Sequence, residues 1–213
     1  MKESILLIGG GGHCRSCIDV IESTGEYQIA GIIDIKDNLG TNILGYEVIG
    51  IDADIPLLVG RYKNVLITVG QIKNPELRIR LYNEADKSGA DFPVIVSPTS
   101  YLSGHADVKN GTIIMHNGIV NSGAVIGKNC IVNTSSVIEH DVNIGDNCHI
   151  STACVVNGSC VIGKNVFIGS NSVVLNNITL CDNVVVGAGS VVNKNISESG
   201  VYAGNPLRKI NDI

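Results

Sequence analysis

Residues 126–150 read IGKNCIVNTSSVIEHDVNIGDNCHI, and an isoleucine or valine returns at every sixth place: Ile126, Val132, Ile138, Ile144 and Ile150. Followed outward, the register holds without exception from Leu102 to Val192, sixteen positions all occupied by Leu, Ile or Val. Four residues after each stands a mostly small or β-branched side chain, among them Thr112, Ala124, Cys130, Ser136, Cys148, Cys154 and Ser190. A short fixed period kept over so long a stretch is the mark of a β-solenoid, in which each repeat buries its apolar side only by stacking on its neighbours. The periodicity predicts one solenoid over 102–196.

The whole composition agrees. The 213 residues include no Trp, two Phe and 25 Gly, so bulk is aliphatic and tight corners are well supplied. The net charge of −5, with Lys and Arg scattered, argues against nucleic acid as a partner. No apolar run approaches the ~18 residues that cross a bilayer, and the chain enters a strand directly after Met1, so the expectation is a cytoplasmic protein with no membrane insertion. Of seven cysteines, Cys130, Cys148, Cys154 and Cys160 occupy the small inward position of the repeat, where a free thiol packs as a small hydrophobe. Cys14 and Cys17 form a Cys-x-x-Cys pair, but no second pair accompanies it, and packing is favoured there over redox chemistry or a metal.

Before the solenoid the pattern changes to alternating strand and helix. Ser4 to Ile8 is an apolar strand followed by Gly9-Gly10-Gly11-Gly12-His13; 14–24 has helical spacing and stops at Gly25. A second strand, Ile29 to Ile33, is closed by Asp34. The segment carrying Gly40, Gly45 and Gly50 reads as loop, Val65 to Val69 as a third strand ending at Gly70, 75–88 as a helix, and Phe92 to Val96 as a possible fourth strand. This order predicts a small Rossmann-like parallel sheet over 1–97, followed by the solenoid and a C-terminal tail over 98–213. Ligands of such sheets bind beyond the carboxyl ends of the strands. The dinucleotide fingerprint G-x-G-x-x-G fails, because Cys14 or Arg15 stands where its last glycine is needed. A glycine-rich turn into a helix N-terminus still offers backbone N–H groups to an anion, and Asp34 can accept a hydroxyl or base-edge hydrogen bond, so a nucleotide-diphosphate head group fits better than a redox dinucleotide.

The hexads Ile126-Gly127-Lys128-Asn129-Cys130, Ile144-Gly145-Asp146-Asn147-Cys148 and Ile162-Gly163-Lys164-Asn165-Val166 resemble those of the hexapeptide-repeat acyltransferases. The resemblance implies a left-handed parallel β-helix with three hexads per triangular coil, so that residues 18 apart lie over one another. Two further features narrow it. One is the stretch Asn133-Thr134-Ser135-Ser136-Val137-Ile138-Glu139-His140-Asp141, with His149 following; the other is the small domain in front. Together they resemble the sialic-acid-O-acetyltransferase-like, bacillosamine-pathway-like (NeuD/PglD-type) sugar acetyltransferases. The tail Gly204-Asn205-Pro206-Leu207-Arg208 resembles the C-terminal signature of hexapeptide acyltransferases.

By that resemblance His140 is the general base and Asp141 the carboxylate that raises its basicity. His149, Ser170 and Ala188 serve acetyl-CoA; Gly11, Gly12, His13, Asp34, Ile35, Gly70 and Asn133 serve the acceptor; no metal is implied. Relatives usually carry an acid where Ile35 stands. A histidine suits the chemistry, since an attacking amine or hydroxyl must lose a proton near neutral pH. The expected activity is N-acetylation of a nucleotide-linked 4-amino-4,6-dideoxy sugar for bacterial surface glycans, by direct transfer in a homotrimer. O-acetylation of a sialic-acid-type sugar is the alternative on the same fold. A non-catalytic β-helical scaffold is the reading from another class, and it predicts no acetyl-CoA binding.

Overall fold

The apolar run ending at Ile8 becomes an inner strand of a mostly parallel sheet in the computed structural model, which describes residues 2–212. The elements of this first unit are β1 (Glu3–Ile8), α1 (Gly12–Thr24), β2 (Tyr27–Ile33), β3 (Asn42–Ile43), β4 (Tyr46–Gly50), α2 (Ile55–Arg61), β5 (Asn64–Ile67) and α3 (Glu76–Lys87). The sheet order is β3-β4-β2-β1-β5, with β1 parallel to β2 and β5, and β2 parallel to β4. Helix α1 buries Cys14, Cys17, Ile18, Val20 and Ile21, and it ends where Gly25 adopts φ 69° and donates its N–H to the Glu22 carbonyl. Helix α3 buries Leu81, Tyr82 and Ala85, and Tyr82 stacks on Phe92 with ring centroids 4.1 Å apart.

Three expectations are corrected here. The stretch read as loop holds a β-hairpin (β3–β4), the parallel strand β4 and the helix α2. The third strand stops at Ile67 rather than Val69, because Thr68 turns to donate its hydroxyl to the Gly9 carbonyl at 2.6 Å. Of the run from Phe92, only Ile95–Val96 is strand; Asp91 instead bridges to Asn64, and Val96 packs against the solenoid core.

The second unit begins at Val96 and is the solenoid. Each of the sixteen apolar positions closes a short strand, from Tyr101–Leu102 to Val191–Val192. These strands pair in parallel with a register of 18, as in Ile131↔His149↔Phe167↔Val185, and build three faces of a prism. From Gly111 to Gly189 the fourth residue of every hexad has positive φ, between 56° and 75°. Asn and Gly dominate those corners, since they tolerate the left-handed region best. Inside, the repeat positions from Ile114 to Val192 form one continuous core with the small fifth-position side chains, including Cys130, Cys148, Cys154 and Cys160.

Those thiols do more than fill space. The Thr112 hydroxyl donates to the Gly127 carbonyl at 2.8 Å and accepts the Cys130 N–H at 3.0 Å. Cys130 then donates to Gly145 and accepts from Cys148 N, and Cys148 donates to Gly163 and accepts from Val166 N. Buried corner backbone groups are thereby satisfied from within, which a plain hydrophobe could not do. Outside, Asn129, Asn147, Asn165 and Asn183 form an amide ladder with steps of 2.9, 3.3 and 2.9 Å. The tail closes the far end: Gly200–Ala203 pairs in parallel with Val184–Val186, Arg208–Asn211 folds back antiparallel, and Tyr202 and Leu207 join the core.

Candidate active site

In the first unit the four glycines divide into two kinds. Gly9 has φ 110°, and a Cβ there would stand 2.9 Å from the Val69 backbone nitrogen; a Cβ on Gly10 would stand 2.5 Å from Asp34 Oδ2. Those two glycines are close-packed. Gly11 and Gly12 have nothing within 4 Å of a built Cβ, and both are exposed. Gly11 is the N-cap of α1, without a side-chain cap and with no acid in the first turn, so this helix end is electrostatically open to an anion. Asp34 lies over the loop and accepts from Asn38 Nδ2 at 2.6 Å, while Gly70 approaches His13, whose Cβ is 3.4 Å from a Cβ built at Gly70. The fold thus gathers Gly11, Gly12, His13, Asp34 and Gly70 at one end of the sheet. Ile35 follows Asp34 and is exposed, at the head of a short 3-10 turn, Lys36–Asn38.

Beneath this loop lies the Cys-x-x-Cys pair. His13 Nε2 is 3.4 Å from Cys17 Sγ. Burial pushes the Cys14 thiol up to about 11 and raises Cys17 as well. Neither is a poised thiolate.

In the second unit His140 stands at the third place of its hexad, and Asp141 at the fourth, with φ 60°. The imidazole Nδ1 is 3.0 Å from Asp141 Oδ2, and the two side chains are 60% and 66% exposed. With the Nδ1 hydrogen directed at the carboxylate, Nε2 keeps a lone pair able to take a proton. The His140 ring also lies across Gly158, and Asp141 Oδ1 across Gly123.

Asn133 and His149 form a second group. The Asn133 side-chain oxygen accepts from Thr134 N at 2.8 Å, which turns its amide nitrogen toward His149 Nε2 at 3.0 Å. His149 is buried and meets Phe167 edge-on at 5.2 Å between centroids. Ser170 shares a hydrogen bond with Ser151, hydroxyl to hydroxyl, at 3.0 Å. Ala188 follows one coil later and is exposed; a Cβ on Gly169 would stand 2.5 Å from its nitrogen. Asn133, Ser151, Ser170 and Ala188 belong to corners that follow one face of the prism, whereas His140 and Asp141 belong to the next corner. Reading by motif passed over Ser151, Phe167, Gly123 and Gly158. Each stands 18 residues from a neighbour it touches, or one place off that spacing, so the period itself could have found them.

Residues 4–85 match the PglD N-terminal domain, and residues 159–194 match the bacterial transferase hexapeptide (six repeats). No curated protein sequence matches the chain. Among solved structures, PerB from Caulobacter crescentus in complex with CoA and GDP-perosamine is 27% identical, with a TM-score of 0.91 over 98% of this chain and 97% of that one. The acetyltransferase domain of PglB from Neisseria gonorrhoeae in complex with acetyl coenzyme A is 26% identical, with a TM-score of 0.90 over 99% and 100%. WeeI from Acinetobacter baumannii, at 21% identity and a TM-score of 0.85, shares the fold.

The hexapeptide β-helix that follows the small Rossmann-like domain in sequence, together with the similar solved acetyltransferases, marks the chain as an acetyl-CoA-dependent sugar acetyltransferase. Residues 4–85 carry the PglD N-terminal domain and residues 159–194 the hexapeptide repeat, and nearly the whole chain is similar to the NeuD/PglD-type sugar acetyltransferases.

Proposed function

We propose that this enzyme moves the acetyl group of acetyl-CoA to the amine of a nucleotide-linked 4-amino-4,6-dideoxy sugar, in the synthesis of a bacterial surface glycan. The observation that carries this reading is the His140–Asp141 pair, an imidazole with one nitrogen committed to a carboxylate and the other free to accept. The amine nitrogen attacks the thioester carbonyl, its proton passes to His140 Nε2, and the C–S bond breaks to release CoA, which takes up a proton. Asp141 holds the ring through Nδ1 while Nε2 takes the proton. Such a base supplies roughly 10²- to 10⁴-fold in rate.

The acceptor's diphosphate lies against the open N-terminus of α1 at Gly11 and Gly12, with His13, Asp34, Ile35 and Gly70 around its nucleoside. Asn133 serves the acceptor, and His149, Ser170 and Ala188 the coenzyme. The hydrogen bond between Asn133 and His149 supports a meeting of the two substrates there. PerB, similar over nearly its whole length, is solved with CoA and GDP-perosamine, which supports both substrate classes. A homotrimer belongs to the same reading, and light scattering checks it. A cytoplasmic setting, where both substrates are made, belongs to the same reading.

The test is acetyl transfer from acetyl-CoA to nucleotide-linked amino sugars and, in parallel, to hydroxyl acceptors, with the acetyl group located by NMR. His140→Ala is expected to lower kcat by at least 10²-fold. Near-full transfer by that variant would overturn the proposed base, and acetylation at oxygen alone would overturn the amine acceptor.

A further inference from the structure

Gly158 stands 18 residues after His140, at the same third place of its hexad in the following coil, and it is buried. A Cβ built there would lie 2.6 Å from both Cε1 and Nε2 of His140 and 3.2 Å from Cδ2. All three nearest atoms belong to that one imidazole. The backbone conformation does not call for glycine, since its φ lies outside the left-handed range in which the corner glycines sit. Other third places between 110 and 194 carry Asn, His, Ser, Lys, Thr, Asp or Ala, and Gly158 is their single glycine. Its neighbour Asn157 is turned away, donating to the Val174 carbonyl at 2.7 Å.

The carboxylate partner is treated in the same way from the other side. Gly123 stands 18 residues before Asp141, and a Cβ there would lie 2.5 Å from Asp141 Oδ1. Glu139, the remaining acid of this corner, is held by Asn121 Nδ2 at 3.0 Å. The imidazole therefore lies toward the next coil and the carboxylate toward the previous one, each over a bare glycine.

From this geometry we infer that Gly158 is a positioning residue for acetyl transfer: its missing side chain is the seat that holds the His140 ring flat on the coil, with Nδ1 at Asp141 and Nε2 free. The inference rests on His140 being the base. In Gly158→Ala the new methyl group occupies the ring's place, so the imidazole must rotate away and the reacting geometry is lost. A displacement near 1 Å costs on the order of 10²-fold in rate.

The experiment is a double-mutant cycle on the full-length enzyme with Gly158→Ala, His140→Ala and the pair, measured by CoA release. Gly158→Ala is expected to lower kcat by roughly 10- to 100-fold, to leave both KM values within about twofold, and to have no further effect on the residual rate of His140→Ala. Unchanged kcat in Gly158→Ala, or an equal loss in both backgrounds, overturns the proposal. Full activity in His140→Ala overturns instead the assignment of the base. The contact itself is read in the unmutated protein as a nuclear Overhauser effect between the His140 Cε1 proton and the Gly158 α-protons. Its absence overturns the inference even where the variant does not fold.

Discussion

Arg78 Nη1 donates to the carbonyl oxygen of Ile67 at 2.6 Å and to that of Val69 at 2.8 Å, from a side chain only 1% exposed. The residues between those carbonyls are tied to the glycine loop, since Thr68 N donates to Ile8 O at 2.8 Å and the Thr68 hydroxyl donates to Gly9 O at 2.6 Å. A buried guanidinium thus fixes the turn that runs from the third parallel strand to Gly70. Arg78→Met strips two buried carbonyls of a charged donor and is expected to cost roughly 3–5 kcal/mol in urea unfolding. Arg80→Met is the control. Its pairs with Asp52 and Glu84 are half exposed, so its loss should stay below about 1 kcal/mol.

The two kinds of glycine at the head of α1 predict opposite phenotypes. Gly9→Ala forces a Cβ into Val69 at φ 110° and should destabilise by about 2 kcal/mol or more. Gly12 is the first residue of α1 with open space around it, so Gly12→Ala should leave stability unchanged or raise it by up to about 1 kcal/mol. In compensation, the added methyl group intrudes where the diphosphate is proposed to lie. The expected kinetic result is a raised KM for the nucleotide sugar and an unchanged KM for acetyl-CoA; thermal unfolding and initial rates on the same preparations check both.

The solenoid was legible because its signal is long: each Leu, Ile or Val at the repeat position ends a strand, and Asn or Gly recurs where φ is positive. The segment over 42–61 was not. A two-residue strand and the seven-residue α2 are too short to show a period, and Gly40, Gly45 and Gly50 punctuate them as a loop would. The His140–Asp141 pair is adjacent in sequence and could be seen there, whereas its seats, Gly123 and Gly158, are neighbours only across coils. Arg78 could not be read at all. An arginine in a helix is ordinarily solvated, and only the packed structure shows that this one serves the Ile67 and Val69 carbonyls. The inward cysteines were placed correctly by register, but their hydrogen bonds to the corner backbone depend on where the next coil's carbonyls fall.

Among the positive-φ corners a single alanine stands, and a stabilising change follows. Ala153 holds φ 56°, a conformation that costs an ordinary L-residue roughly 1–2 kcal/mol and asparagine less. The residue is half-buried at a corner, and the same position is Asn147 in the hexad before, Ser159 in the hexad after and Asn171 one coil on. Ala153→Asn is expected to stabilise by about 1 kcal/mol, raising Tm by roughly 2–4 °C. Calorimetry on both proteins at matched concentration measures this, and a lowered Tm would count against relief of backbone strain as the governing effect.

The buried thiols set the alkaline limit of stability. Burial raises Cys14 and Cys154 from 9.0 to about 11, and raises Cys17 and Cys148 as well. In the unfolded chain these thiols lose their protons near pH 9, while the folded chain still holds them. The unfolded state therefore binds fewer protons in that window, and stability must fall as pH rises from about 9 toward 11. Below about pH 8 both states are protonated and the thiols contribute no slope. A two-unit rise on Cys14 alone is worth roughly 3 kcal/mol by pH 11. Urea midpoints should be flat in this respect between pH 7 and 8 and then decline steeply, and Cys14→Ala should show a shallower decline than the parent. An equal decline in both would show that Cys14 ionises in the folded protein as it does in the unfolded chain.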